Sequence, residues 1–103
     1  MKIIQKLSEQ IEEEIADAKK YIKCAFSMKD DHPDISRTYY NLALQELEHS
    51  SMLHDAVTDE IKRYKEENGE PPEGMMVLYN YMHKREMKDY DKVKRMVDDY
   101  KNS

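Results

Sequence analysis

The sequence predicts an all-α chain: an antiparallel pair of long helices with a third helix beside it. Apolar residues recur at three-, four- and seven-residue steps over long stretches. Gly69 and Gly74 are the only glycines and fall with Pro71 and Pro72, while Pro33 stands apart; an all-β fold would need turn signals roughly every ten residues. At 103 residues, 38% of them charged, the chain has room for one domain, spanning 1–103, whose core must come from narrow stripes on long helices.

The first helix is expected over about residues 3–28. Ile4, Ile11, Ala18 and Ala25 form one row at heptad spacing, and Leu7, Tyr21 and Met28 form the next. The segment Lys29 to Asp34 should stop it, because Pro33 disfavours helix at His32 yet suits the first turn of a new helix. That second helix should run to about Asn68, with Tyr39, Leu42, Leu53, Ala56, Val57 and Tyr64 on one face and Gly69 ending it in a left-handed cap. His32 either caps it or is solvated. A third helix is expected from about Pro72 to Lys101, carrying Met75, Leu78, Tyr79, Met82, Tyr90, Val93, Val97 and Tyr100. Short connections make neighbouring helices antiparallel. Each helix would be roughly 40 Å long, at 1.5 Å per residue, so three thin stripes cannot satisfy one another fully and self-association is expected.

Composition removes several function classes. Two glycines cannot build the loops that bring backbone amides to a phosphate, so nucleotide chemistry is not expected. The 17 basic and 22 acidic residues are interspersed and give a net charge of −5, which leaves no basic block for nucleic acid. A single cysteine, Cys24, allows neither an internal disulfide nor a cysteine-based zinc site and is read as a packed thiol in a reducing cytoplasm. The first residues are too few and too polar for a signal peptide, and no stretch approaches the ~20 apolar residues of a membrane span.

Chemistry enters where the stripes are interrupted. The row Leu7, Tyr21, Met28 should be apolar throughout, but its second position is Glu14. The stripe Tyr39, Leu42, Leu53, Ala56 is broken at its middle by Glu46 and His49, one turn apart on the same face. The bare E-x-x-H spacing is weak: twelve Glu and four His give about 0.5 chance occurrences. Position carries more. With a turn near residue 31, Glu14 precedes it by about as many residues as Glu46 and His49 follow it, so antiparallel packing puts all three at one level. Burying two carboxylates and an imidazole unpaired would cost several kcal/mol per charge, so a cation is expected among them. The competing reading is a hydrogen-bonded polar layer, with His49 protonated and Tyr21 or Tyr39 assisting.

These residues resemble the ferritin-like di-iron superfamily, in which one helix supplies a Glu and its neighbour an E-x-x-H, here Glu14 and Glu46-Leu47-Glu48-His49. Tyr21, seven residues after Glu14, is similar to the rubrerythrin branch. A full four-helix site uses a Glu from each of two helices and a Glu-x-x-His from each of the other two, so this hairpin holds half. A two-fold dimer would double the set into four carboxylates and two imidazoles, whose charge of about −4 balances two divalent cations. That half-site resembles the short encapsulated ferritins over residues 10–60. The last residues, Asp98 to Ser103, lack an apolar-basic tail of the kind that directs cargo into protein shells, so encapsulation is not expected. The resemblance implies a ferritin-like bundle completed as a homodimer or larger homo-oligomer, with Glu14, Glu46 and His49 on iron, or manganese, and Glu46 bridging the pair. Ferroxidase activity or iron sequestration would follow.

Weaker candidates lie around this set. Asp17, one turn from Glu14, is either a solvated residue or an extra ligand or entry carboxylate. His83 and Glu86, one turn apart on the third helix, reflect about residue 70 onto His54 and Asp55, where they form either an interhelical hydrogen bond or a second cation site; a shifted third helix could instead bring His83 to the first site. The eight tyrosines are read as core filling. The alternative function, from another class, is a metal-free helical interaction module whose polar layer fixes register.

Overall fold

The computed structural model describes residues 2–103, all in or between three helices: α1 (Lys2–Ser27), α2 (Pro33–Asn68) and α3 (Glu73–Lys101). There is no strand among the described residues. The fold class and the helix boundaries expected from periodicity and proline placement therefore hold to within a residue or two.

Pro33 occupies the first turn of α2, where its missing N–H costs nothing, and the first intrahelical bond runs from Ser36 N to His32 O, 2.9 Å. His32 makes no side-chain cap and is exposed, which selects the solvated alternative. At the other end Gly69 donates its N–H to Lys65 O at 3.0 Å and then leaves the helix at φ 80, ψ −163. Positive φ was expected there, but this ψ is extended rather than left-handed helical. Only glycine takes that region without strain, because any Cβ would crowd the flanking carbonyls.

The core is a single seam. Ile4, Ile11, Ile15, Ala18, Ile22 and Ala25 of α1 meet Ala43, Leu47 and Val57 of α2, and Val93 and Val97 of α3 close it. Each buried isoleucine is worth roughly 1.5–3 kcal/mol of burial. On α1 the expected row Ile4, Ile11, Ala18, Ala25 is buried, joined by Ile15 and Ile22. On α2 the buried line is Ser36, Ala43, Leu47, Ser50 and Val57, about 60–100° round the helix from the expected stripe. Of the expected face Val57 is buried as expected, while Tyr39, Leu42, Leu53, Ala56 and Tyr64 are only half-buried. Alongside Leu47 and Val57 the α2 seam uses Ser36, Ala43 and Ser50, small residues that hydrophobicity alone does not single out. Ser36 shows why they are needed: its hydroxyl donates to Ala25 O at 2.5 Å, across the helix pair, and lies 2.7 Å from the Tyr100 hydroxyl.

Helix α3 returns towards the α1–α2 turn, parallel to α1. Ser8 meets Glu86 near one end, while at the other Tyr100 stacks on Tyr40 and takes Phe26 against its edge, with ring centroids 4.9 and 5.4 Å apart. It packs more on α1 than on α2. The result is a rod of 56 × 19 × 18 Å in which Met52, Val77, Leu78 and Tyr81 stay more than half exposed. No helix of the described residues is long and apolar enough to cross a membrane.

The two glycines separate backbone strain from helix propensity. A Cβ at either would meet nothing within 4 Å, so Gly69→Ala should lower stability by about 1–3 kcal/mol through its φ of 80 alone. Gly74→Ala, in the first turn of α3, should be neutral or stabilising by up to ~1 kcal/mol. Urea melts of the two variants give the comparison; equal effects would mean that Gly69 is not conformationally constrained.

Candidate metal centre

Each residue of the candidate site stands one position before a buried one. Glu14 precedes Ile15 on α1, and Glu46 and His49 precede Leu47 and Ser50 on α2. A helix turns about 100° per residue, so packing the buried partners into the seam holds the three polar side chains along its flank. This is the flank away from α3. Glu12 and Ser8, further round α1 in the opposite sense, are the residues that meet Arg85 and Glu86 of α3.

The three groups converge. His49 Nδ1 lies 3.5 Å from Glu46 Oε1 and 3.9 Å from Glu14 Oε2, and one ligand atom from each residue falls within 4.8 Å of the other two. They form the only cluster of three or more potential His, Cys, Asp or Glu ligands among the described residues. The level along the hairpin is therefore as the turn arithmetic required. The depth is not: Glu14 and Glu46 keep 19% and 18% of their side-chain surface, and His49 keeps 52%. The chain places them on an open flank beside the core rather than within it. Gln10, Met52 and Leu53 border the same opening, and Tyr21 and Tyr39 pair below it with ring centroids 6.0 Å apart.

The electrostatics at Glu14 are set by its two neighbours. Hydrogen bonding with Glu46 raises the Glu14 pKa, burial and the Glu46 charge push it further, and the His49 charge pulls it back.

The remaining candidates divide. Asp17 is exposed and lies outside the cluster. His54 and His83 meet as the reflection about residue 70 required, Nε2 to Nδ1 at 3.2 Å. In this chain His83 is therefore engaged on α2 and does not reach the first site. Glu86, expected beside His83 as a ligand, is instead turned into the α1–α3 contact, 3% exposed, where it accepts a hydrogen bond from Ser8 Oγ at 2.7 Å. Nothing in the periodicity singled out Ser8 as its partner; the usable signal was a serine at a core position of α1.

No protein-family model, curated protein or solved structure matches this chain. The site's geometry stands on the chain's own residues.

Burial raises the Glu86 pKa, with the Ser8 hydrogen bond, His83 and Arg85 acting in the opposite direction. A carboxyl whose folded pKa is raised holds its proton more tightly folded than unfolded. Its contribution is therefore fully present below the unfolded value near 4.5 and is lost as pH rises through the elevated folded value. Glu86→Gln keeps an acceptor for Ser8 and removes that loss. The variant should melt above the parent at pH 7 and converge on it near pH 4; a variant less stable than the parent at pH 7 would show that the ionised carboxylate is favourable where it lies.

Proposed function

We propose that this chain is a cytoplasmic non-haem di-iron protein of ferritin-like design, whose centre is completed when a second copy covers the open flank of the α1–α2 hairpin. The observation that carries the reading is the convergence of Glu14, Glu46 and His49 on the uncovered side of the seam. With metal–ligand bonds of ~2.1 Å, adjacent ligands stand about 3.0 Å apart and opposite ones about 4.2 Å. The separations of 3.5 and 3.9 Å lie between these, so small side-chain rotations suffice to seat an ion.

The donor set fits iron or manganese, since two carboxylates and one imidazole are an oxygen-rich, borderline combination. Two carboxylates neutralise one divalent cation per chain, and a two-fold pair neutralises two. Three ligands leave coordination positions open, and the half-exposed His49 rim is where another copy would contribute. Glu46 is the carboxylate we assign to bridge the pair across the two-fold. In this reading the metal displaces into solvent the proton that Glu14 holds, His49 supplies a neutral nitrogen, and the Leu53 and Met52 side chains exclude water once covered. Iron, when bound, supplies the electrons for reducing oxygen, which is the basis for ferroxidase or sequestration roles.

Anaerobic Fe(II) is the direct test. A ligand that binds only the folded chain at 100 times its dissociation constant stabilises by about 2.7 kcal/mol, a rise of ~10 °C or more in a domain this size. The expected stoichiometry is two irons per dimer, with mass in solution reporting the dimer. Glu46→Leu with His49→Met should abolish iron binding and weaken the dimer. The double variant matching or exceeding the parent in stability, with no iron response in either, would instead make the flank a metal-free contact surface held in register by polar groups. Because the metal displaces a proton from a Glu14 whose pKa is raised, iron affinity should fall as pH is lowered through that value.

A further inference from the structure

The contact between α2 and α3 is the thinnest in the molecule, and its middle is occupied by two imidazoles. His54 Nε2 and His83 Nδ1 face each other at 3.2 Å, the rings 4.7 Å apart between centroids and tilted by 27°. Tyr79 packs flat against the far side of His83, centroids 5.8 Å apart at 16°, and fixes that ring. Both histidines are half-buried, and a groove of about 220 Å³ opens beside His54, lined on the α2 side by Ser50, Ser51 and Asp55.

The spacing has a chemical meaning. Metal–nitrogen bonds of ~2.0–2.1 Å, at angles of about 90–110°, put neighbouring nitrogens about 2.9–3.4 Å apart. From these residues we infer a second cation site, formed by His54 Nε2 and His83 Nδ1, that takes a borderline divalent transition ion of the zinc class and staples α3 to α2. In the empty pair one ring donates its N–H to the other. Seating the ion requires this hydrogen to move to the donor ring's second nitrogen and both rings to rotate so that their lone pairs converge beside the N···N line, after which both bind as neutral imidazoles and no net proton is lost. The groove beside His54 has room for water, which completes the coordination of an ion held by the two imidazoles. A nitrogen-based pair prefers zinc, nickel or copper over iron or manganese, which sets it apart from the carboxylate-rich flank. The site is independent of the proposed di-iron function, since it shares no residue with it.

Zinc binding to the double variant Glu46→Gln, His49→Ala isolates it. Those substitutions sit on the part-exposed flank and remove the first cluster. One zinc per chain is expected by calorimetry, with a rise in melting midpoint of ~10 °C at 100 times the dissociation constant. Adding His83→Asn, with helicity checked by circular dichroism, should abolish both. Copper(II) in the unmodified histidine pair should give a resonance spectrum with two nitrogen ligands, a readout that does not depend on the folding of a His83 variant. Absence of zinc binding in the double variant, zinc binding that survives His83→Asn, or a copper spectrum with fewer than two nitrogens would each overturn the site. A chain that binds zinc here but no iron at the flank would leave this inference standing and remove the di-iron reading.

Discussion

Everything in this molecule follows from how closely α1 and α2 approach each other. Ala18, Ala25, Ala43 and Ser36 are fully enclosed between them, and Ser50 nearly so. Small side chains let two helix backbones come near enough for the Ser36 hydroxyl, one of the shortest polar arms available, to reach a carbonyl on the opposite helix. A larger residue at any of these positions would wedge the pair apart. Glu14 and Glu46, which sit on opposite helices one residue from the seam, would then lose the contact through which Glu46 raises the Glu14 pKa.

The seam also decides what the polar residues cost. A carboxylate at its centre would have no solvent and few partners, whereas one on its flank retains some of each. The sequence uses both arrangements. Glu86 is enclosed and held by one hydroxyl, and no buried side-chain nitrogen or oxygen among the described residues lacks a hydrogen-bond partner. Glu14 and Glu46 are spared full burial because they lie on the flank away from α3, and that exposure leaves their cluster open to solvent.

Much of this was legible in the residues. Helix boundaries followed from Pro33, Gly69 and Pro72, whose effects are local and stereochemical. The common level of Glu14, Glu46 and His49, and the meeting of His54 with His83, followed from counting residues outward from two short turns. Radial position was harder. The apolar arc on α2 is wide, and choosing its most hydrophobic line pointed to Tyr39, Leu42 and Leu53, whereas packing selected the line with the smallest side chains. The candidate ligands were expected inside the core as a consequence. The Ser8 to Glu86 hydrogen bond was out of reach because it depends on how α3 is rotated about its own axis, a quantity set by the whole packed surface.

The cluster around Tyr100 holds one end of α3 most heavily, with lighter ties at Glu86 and His83 further along. Phe26, Tyr40, Ser36 and the ammonium group of Lys29, 5.5 Å from its ring centre, all converge on that tyrosine, whereas Val77, Leu78 and Tyr81 near the other end lie largely in water. The helix is thus a lever with its fulcrum at the bottom. From Tyr100 to Met75 is about 37 Å at 1.5 Å per residue, so a tilt of about 5° carries the upper end through about 3 Å while leaving the lower contacts nearly still. Leverage of that kind concentrates sideways travel at the α2–α3 loop and dilutes it towards the α1–α2 turn.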